Sequence, residues 1–581
     1  MRLGYSRSKY STFYYVQKTI RVDGKNKSLI VKRFGSDKYI CETYGVTDAK
    51  AWAQEQVRLM NLEEKNESGI VTLEFSPNKD LEKDKQRSFN GGYLFLQQIY
   101  YELGLDKICR AIAKKHNFEY NLNSIFSRLI YSRILYPSSK RNTYKDSRKF
   151  IEQPDFELHQ IYRALSVIAA DSEYIQSRLF KNSLKLAKRK TGVIYYDCTN
   201  FYFEIEQAED DKQYGLSKEN KPLPIVEMGL FMDAEGIPLA FCINPGNTNE
   251  QTTMIPLEEK LLTDFSLSKF VVCTDAGLSS TDNRKFNDYD KADGMRAFVT
   301  TQSIKKMKAH LKNWIFETKG WKCFDDTKNE RYDISKLDEK RDCEKIYYKS
   351  IWLNDKGLEQ QLIVSYSLKY RNYQRDIRGR QIERAIKNLE QGKSEIEKKR
   401  QNDPKRFIMA EHITNDGEIA NKTMYEINKN AIDEEEKYDG FYAVCTNLED
   451  SPRDIIKINK RRWEIEECFR IMKSEFEARP VYLHRQERIR AHFVTCFVAL
   501  IIYRYLEKKL DDKYTCTQII NSLKEMNFTK YDGYGYVPSY TRTSLIDDLH
   551  TKFGFNTAKE IIPIKIMKNI CADTKNVKYN V

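Results

Sequence analysis

Paired cysteine spacings, glycine-rich phosphate loops and long apolar runs are all missing from this sequence. Its twelve cysteines are scattered from Cys41 to Cys571 with no CxxC interval among them. That excludes zinc-knuckle chemistry and argues against a disulfide framework in a chain of 581 residues. They read as reduced, buried small side chains. Only 13 prolines and 24 glycines occur, too few for a linker-rich or collagen-like chain. The longest apolar stretch, Phe493 to Tyr503, is interrupted by Thr495. It is too short to span a bilayer and suits a buried helix, so no membrane is expected. The N-terminal MRLGYSRSKYST is basic but has no apolar segment behind it, and no signal peptide is read. No P-loop or Rossmann glycine pattern is present, so nucleotide-driven chemistry is not suggested. A soluble, reducing compartment is the expectation.

What is present is charge. Lys and Arg number 98 against 84 Asp and Glu, a net +14, and charged residues make up 31% of the chain. Hydrophobic residues at 40% exclude general disorder, and the length calls for several domains. The basic excess leans toward a polyanionic partner, nucleic acid or an acidic membrane surface.

Along the chain, "YYVQKTIRV" and "KSLIVKRFG" flank Asp23-Gly24, a hairpin signal within a small β unit at 1–75. Residues 62–90 are polar and turn-rich and read as a linker. Apolar residues then recur at three- and four-residue spacing in "YLFLQQIYYELGL", "SIFSRLIYSRIL" and "IYRALSVIAA", predicting a helical region over 76–188. Short strand-like runs follow from 189 to 302: "VIYYDCTNFYFE", "PIVEMGLFMD", "PLAFCINPGN", "FVVCTDAG" and "AFVTTQ". These describe an α/β layer. Residues 303–437 break the pattern and predict an inserted, mainly β subdomain outside the core sheet. Its signals are the Asp355-Lys356-Gly357 turn and a charged helix near 374–402. "GFYAVCTN" returns to the core, with helices through about 453–477 and 487–510. Residues 511–581 form a small C-terminal unit.

Three carboxylates stand out by position. Asp197 lies in the first core strand, Asp275 ends "FVVCT", and Glu466 lies on the helix containing "RRWEIEECFRIMK". Acidic residues at strand ends converge across a sheet edge, and a helix packed on that sheet can deliver a third. Such hard oxygen donors hold Mg²⁺ or Mn²⁺, and two such ions serve phosphodiester chemistry. Alone, each strand Asp reads as a turn residue and the Glu as a solvated helix face. Arg462, Glu466 and Lys473 fall on one helical stripe beside the apolar Ile458, Ile465, Phe469, Met472 and Phe476. Cations flanking a metal-ligating Glu suit a phosphate backbone. The same Arg–Glu spacing equally suits a surface salt bridge. Trp463 and Tyr482 read more readily as core-packing or helix-surface aromatics than as stacking platforms for unpaired bases. Arg470, Arg479, Arg485 and Arg488 are candidates for backbone phosphate contacts, and His484 and His492 read as structural.

These stretches, together with "GLSKENKPLPIVEMGLFMDAEGIPLAFCINPGNTNEQTT" and "VYLHRQERIRAHFVTCFVAL", resemble the DDE transposases of the IS4 superfamily, most closely its IS1634-type branch. The most specific motif is Y-x2-R-x3-E-x6-K, here Asn459-x2-Arg462-x3-Glu466-x6-Lys473. Asn459 stands where the family has Tyr and offers a shorter amide donor. The resemblance implies a ribonuclease-H-like core with Asp197, Asp275 and Glu466 as catalytic ligands of two Mg²⁺ or Mn²⁺ ions. It also implies an insertion before the Glu helix. DNA contacts would fall to Asn459, Arg462, Trp463, Arg470, Lys473 and Arg479.

The expected activity is binding of terminal inverted repeats, cleavage of the element ends and joining of the 3′-OH to target DNA. The expected setting is a homodimer on double-stranded DNA, in the cytoplasm at the nucleoid. Residues 1–185 are the expected readers of the ends. A metal-dependent nuclease of the same fold, and a catalytically silent DNA-binding relative, are the alternatives.

Overall fold

The structure, a computed structural model, describes residues 1–22, 25–67, 71, 73, 75–326, 330–390, 403–413 and 422–576. Two compact units are present. One comprises Met1–Arg87, Lys530–Val537 and Glu560–Ile564; the other comprises Ser88–Thr529, Pro538–Lys559 and Lys565–Val581.

In the smaller unit, β1 (Arg2–Arg7), β2 (Thr12–Val22) and β3 (Lys25–Ser36) form an antiparallel sheet. The expected Asp23-Gly24 turn lies outside the described residues, but Val22 and Lys25 pair on either side of it. Ser36 caps α1 (Asp37–Tyr44) by accepting from the Tyr39 N–H, and Gly45 ends it in the left-handed region. After α2 (Ala49–Glu67), the core of this unit is Tyr14, Val16, Phe34, Ile40, Ala53 and Val57. The expected linker from residue 62 begins instead as the last turns of α2. Its Leu, Glu and Lys are good helix formers even without an apolar stripe to announce them.

The larger unit opens with β4 (Ser88–Asn90) and six helices: α3 (Tyr93–Glu102), α4 (Leu105–His116), α5 (Leu122–Leu135), α6 (Lys140–Asp146), α7 (Leu158–Ala170) and α8 (Ser172–Ser183). A ten-stranded mixed sheet follows. Its strands are β5 (Val193–Tyr202), β6 (Ile225–Asp233), β7 (Pro238–Pro245), β8 (Lys269–Thr274), short β9 (Tyr289–Lys291), β10 (Gly294–Thr301), β11 (Lys322–Cys323), β12 (Tyr347–Asp355) and β13 (Leu358–Tyr366). A separate hairpin of β14 (Ile408–Ile413) and β15 (Lys422–Ile427) precedes the last, β16 (Phe441–Thr446). The order is β11-β12-β13-β16-β10-β8-β5-β6-β7, with β9 beside β10. β6 runs antiparallel to both β5 and β7, whereas β5, β8 and β10 run parallel. Every residue of β6 is buried, as expected of a strand covered on both faces.

Helices α9 (Met254–Thr263), α10 (Thr281–Phe286), α11 (Ala309–Phe316), α12 (Leu368–Glu390) and α13 (Lys429–Glu436) connect these strands. The chain then forms α14 (Pro452–Lys460), α15 (Trp463–Arg470) and α16 (Gln486–Lys509). By length and composition α16 is apolar enough to cross a membrane, yet 94% of its most apolar window is buried inside the unit. It packs against α3, α5 and α7, which explains its all-round apolar character. All twelve cysteines are free thiols.

The expectation that 303–437 stands outside the core sheet as a mainly β subdomain is overturned. β13 pairs with β16 from Gln361 to Tyr366, and β12 and β11 continue outward. The segment therefore widens the sheet and gives β16 a partner where it would otherwise present an open edge. Leu358, Leu362, Val364 and Tyr366 share a core with Ile315 and Trp321. The Asp355-Lys356-Gly357 turn is present, with positive φ at Lys356 and Gly357. The charged helix begins earlier than expected, as α12, and residues 391–402 lie outside the described residues.

The single helix expected over 453–477 is likewise broken. Ser451 and Pro452 start α14, and the chain turns at Arg461 and Arg462 before α15. α15 passes into a π-helical turn, Ile471–Glu475. A buried cation secures α15: the Arg504 guanidinium donates to the Gly236 carbonyl (2.8 Å) and to Glu507 (2.5 Å) and lies 3.4 Å from Glu464. Removing one partner of a buried ion network leaves the others uncompensated. Arg504→Met is therefore expected to cost about 3–5 kcal/mol, read as a lower midpoint in urea denaturation at pH 7.

Candidate active site

The parallel register of β5 and β8 positions the first two carboxylates. Val193 pairs with Val271, Ile194 with Val272 and Tyr195 with Cys273; two residues beyond the last pair stand Asp197 and Asp275. Asp275 closes an Asx turn, its Oδ1 accepting from the N–H groups of Gly277 (2.9 Å) and Leu278 (3.1 Å). Behind it, the Thr274 hydroxyl donates to Thr300 Oγ1 (3.0 Å), and the Thr300 hydroxyl donates to the Asp275 carbonyl (3.2 Å). Burial pushes the Asp197 carboxyl up to about 6; Lys218 opposes the rise and Asp275 adds to it.

Arg462 is the common counter-charge. Against the pull of its own burial, its guanidinium is held charged by Tyr442, Glu466, Asp197 and Asp275. Its Nη2 lies 3.0 Å from Glu466 Oε1, and the Glu466 side chain is 57% exposed. Among the described residues no group of three or more His, Cys, Asp or Glu side chains is gathered closely enough to hold a metal ion. Asp197 and Asp275 thus lie side by side, while Glu466 is drawn onto Arg462 rather than to a point shared with them. Three unscreened carboxylates repel, and the nearest cation captures the most mobile one. The two strand carboxylates do suit a hard divalent ion. They are oxygen donors, one on β5 and one just past the end of β8, and burial disfavours the bare charge of Asp197, which a bound cation would offset.

The other expected residues divide. Lys473, in the π-helical turn, lies 3.4 Å from Glu219 Oε1, and burial pushes its ammonium down to about 8, with Lys218 adding and Asp197 opposing. Arg479 pairs with the same Glu219. Asn459 is buried and accepts from the Thr301 hydroxyl at 3.4 Å. Asn459, Arg462, Trp463 and Glu466 line a cavity of about 500 Å³ with Tyr370, Tyr373 and Tyr442. Trp463 and Tyr482 are exposed, so of the expected alternatives, core packing or a surface aromatic, core packing is excluded for both. Neither is needed to fill a core, because Ile465, Cys468 and Phe469 supply the buried face of α15. Arg470 does not join the site. It pairs with Glu467 (2.5 Å) and Glu475 (3.6 Å) on its own helix and turn. Arg485 lies 3.9 Å from Glu487, and Arg488 stacks over Tyr162. His492 is buried with Nε2 hydrogen-bonded to the Ala478 carbonyl.

Residue-by-residue reading misses Lys218. It lies 2.9 Å from Glu250 and acts on Asp197, yet it belongs to the loop "GLSKENKP", where a lysine looks like any solvated charge. Buried Glu227, pushed up to about 7 by desolvation and then by Glu250, is missed as well: it lies in β6, and nothing in "PIVEMGLFMD" says that Glu250 packs near it.

Residues 188–502 match the family described as Transposase DDE domain. The chain belongs to this family. This transposase is 8% identical to the piggyBac transposase in its synaptic complex with hairpin DNA, over 84% of this chain and 85% of that one, with a TM-score of 0.36. It is 11% identical to the Mos1 transposase in a paired-end complex with the left transposon end, over 43% and 68%, with a TM-score of 0.13. At such scores neither likeness carries an argument about this chain. Comparison with curated proteins gives no match.

The Asp197 shift has a sign that can be tested. Its carboxyl binds a proton more tightly in the folded state than in the unfolded chain, so its contribution is full below about pH 4 and is lost as pH rises through about 6. In EDTA, the melting temperature of Asp197→Asn minus that of the parent is expected to grow between pH 4 and pH 7 and then level. Melts that track each other across this range would remove the shift.

Proposed function

We propose that this transposase is an insertion-sequence enzyme of the IS4 superfamily, IS1634-type branch. It would bind terminal inverted repeats, cut the element ends and join the freed 3′-OH to target DNA. The observation that carries the reading is the placement of Asp197 and Asp275 at one level on adjacent parallel strands, with Arg462 reaching both of them and Glu466. A ribonuclease-H-like core is supported by the run β7-β6-β5-β8-β10, antiparallel through its first three strands and parallel through its last. The motif residues Arg462, Glu466 and Lys473 support the superfamily.

In this reading Asp197, Asp275 and Glu466 hold two Mg²⁺ or Mn²⁺ ions, which would activate a water or 3′-OH nucleophile and neutralise the leaving oxygen. The protein's own part is positioning. The Asx turn fixes Asp275, and Tyr195 donates to the Ile458 carbonyl (2.9 Å), tying α14 to β5 just ahead of Arg462. Arg462 holds Glu466 until phosphate arrives and then binds that phosphate, as Lys473 does from the π-helical turn. Exposed Trp463 offers a stacking face at the rim. A homodimer pairing two ends, in the cytoplasm at the nucleoid, completes the proposal.

Glu466→Gln and Asp275→Asn are expected to lower end cleavage and strand transfer by roughly 10²-fold or more, while gel-shift binding of terminal-repeat DNA persists. Arg462→Ala and Lys473→Ala are expected to weaken binding and lower its salt slope by about 1 each. Robust Mg²⁺- or Mn²⁺-dependent cleavage by Glu466→Gln would defeat the three-carboxylate assignment. Cleavage without joining would return the reading to a nuclease.

A further inference from the structure

A second polar cavity, of about 170 Å³, is lined by Arg133, Ser138, Lys140, Arg479, Tyr482 and His492, among others. It is several times the roughly 30 Å³ share of one water molecule. Its chemistry is cationic. Lys140 is 4% exposed, and its Nζ has no hydrogen-bond partner among the described residues. Arg133, 5% exposed, donates to the carbonyls of Phe476 (3.1 Å) and Ser138 (3.0 Å), yet its Nε is unpartnered. The carboxylate in the lining, Glu477, is exposed and meets Arg133 through its backbone carbonyl. His492 supplies no counter-charge: burial, then Arg133 and Lys140, hold its proton affinity well below the usual range.

A buried ammonium without an acidic partner is costly, and proteins compensate it with an anion or let it lose its proton. Here burial and Arg133 push Lys140 down to about 7, and its side chain lines the cavity. Arg479 connects the cavity to the candidate active site, since it pairs with Glu219, which lies 3.4 Å from Lys473.

We propose that this cavity is a phosphate pocket, taking one phosphoryl group against Lys140, Arg479 and Arg133 Nε. The anion chemistry follows from the cavity itself. Its assignment to a backbone phosphate of bound DNA rests on the transposase reading above, free orthophosphate being the other source.

Two arms test the pocket and the source separately. In the first, the full chain is melted with increasing sodium orthophosphate and, as control, sodium chloride at equal ionic strength. The melting temperature should rise with phosphate beyond the chloride control, and Lys140→Met and Lys140→Gln should abolish that excess. Two variants are used because either could fold poorly; the Met variant, which removes a buried unpartnered charge, is expected to fold. No excess shift in the parent, or an equal shift in the variants, overturns the pocket. In the second arm, terminal-repeat duplex is titrated at two salt concentrations. Several-fold weaker binding by Lys140→Met, with a salt slope smaller by about 1, assigns the pocket to DNA. Unchanged DNA binding overturns that assignment and leaves orthophosphate as occupant. Because the first arm uses neither DNA nor cleavage, its result is independent of the Glu466→Gln and Asp275→Asn assays.

Discussion

Two carboxylates fixed side by side on neighbouring parallel strands repel each other, and the polar surroundings of the site answer that repulsion. The ladder between β5 and β8 leads to Asp197 and Asp275 at the same level, the first held in β5 by its pairing with β6 and the second by its Asx turn. Relief must come from outside the sheet. Lys218 supplies it from the loop after β5, and Arg462 supplies it from the turn between α14 and α15. The elevated proton affinity of Asp197 comes first from its burial and then from Asp275, with Lys218 and Arg462 opposing both. A divalent ion suits such a place because it delivers charge at the carboxylates themselves.

The break in the helical segment bears on the same charges. A straight helix from 453 to 477 would place Glu466 and Lys473 on one stripe, but the chain turns at Arg461 and Arg462 and unwinds into a π turn at Ile471. The turn puts Arg462 among the carboxylates, and the π segment places Lys473 beside Glu219. Such departures from regular helix accompany functional positions in many proteins. They are held here by fixed anchors: Tyr195 on the Ile458 carbonyl, and Arg504 beside Glu464 and on the Gly236 carbonyl.

Charge is not spread evenly through the larger unit. Some cations neutralise one another's partners in tight pairs, as Arg470 does with Glu467. Others are buried without an acid, as Lys140 is. The first kind strengthens a helix surface by little; the second kind creates demand for an anion. A count of Lys and Arg cannot tell them apart, because the distinction rests on which acids the fold brings within reach.

By itself the sequence determined the local features that depend on neighbours along the chain. Helical periodicity marked α3, α5 and α7, an apolar run marked α16, the Asp-Lys-Gly turn marked the β12–β13 hairpin, and position in and after strand-like runs singled out Asp197 and Asp275. Arg462 and Glu466, four residues apart, meet as the spacing allowed. Tertiary structure decided what depends on partners far away. Whether β12 and β13 stand apart or join the sheet is settled by the open edge of β16. Lys218 and Glu227 matter because packing sets them beside Asp197 and Glu250, not because of any motif. Where Glu466 points was likewise undecidable in one dimension. A carboxylate goes to the nearest uncompensated positive charge, and which charge is nearest exists only once the chain has folded.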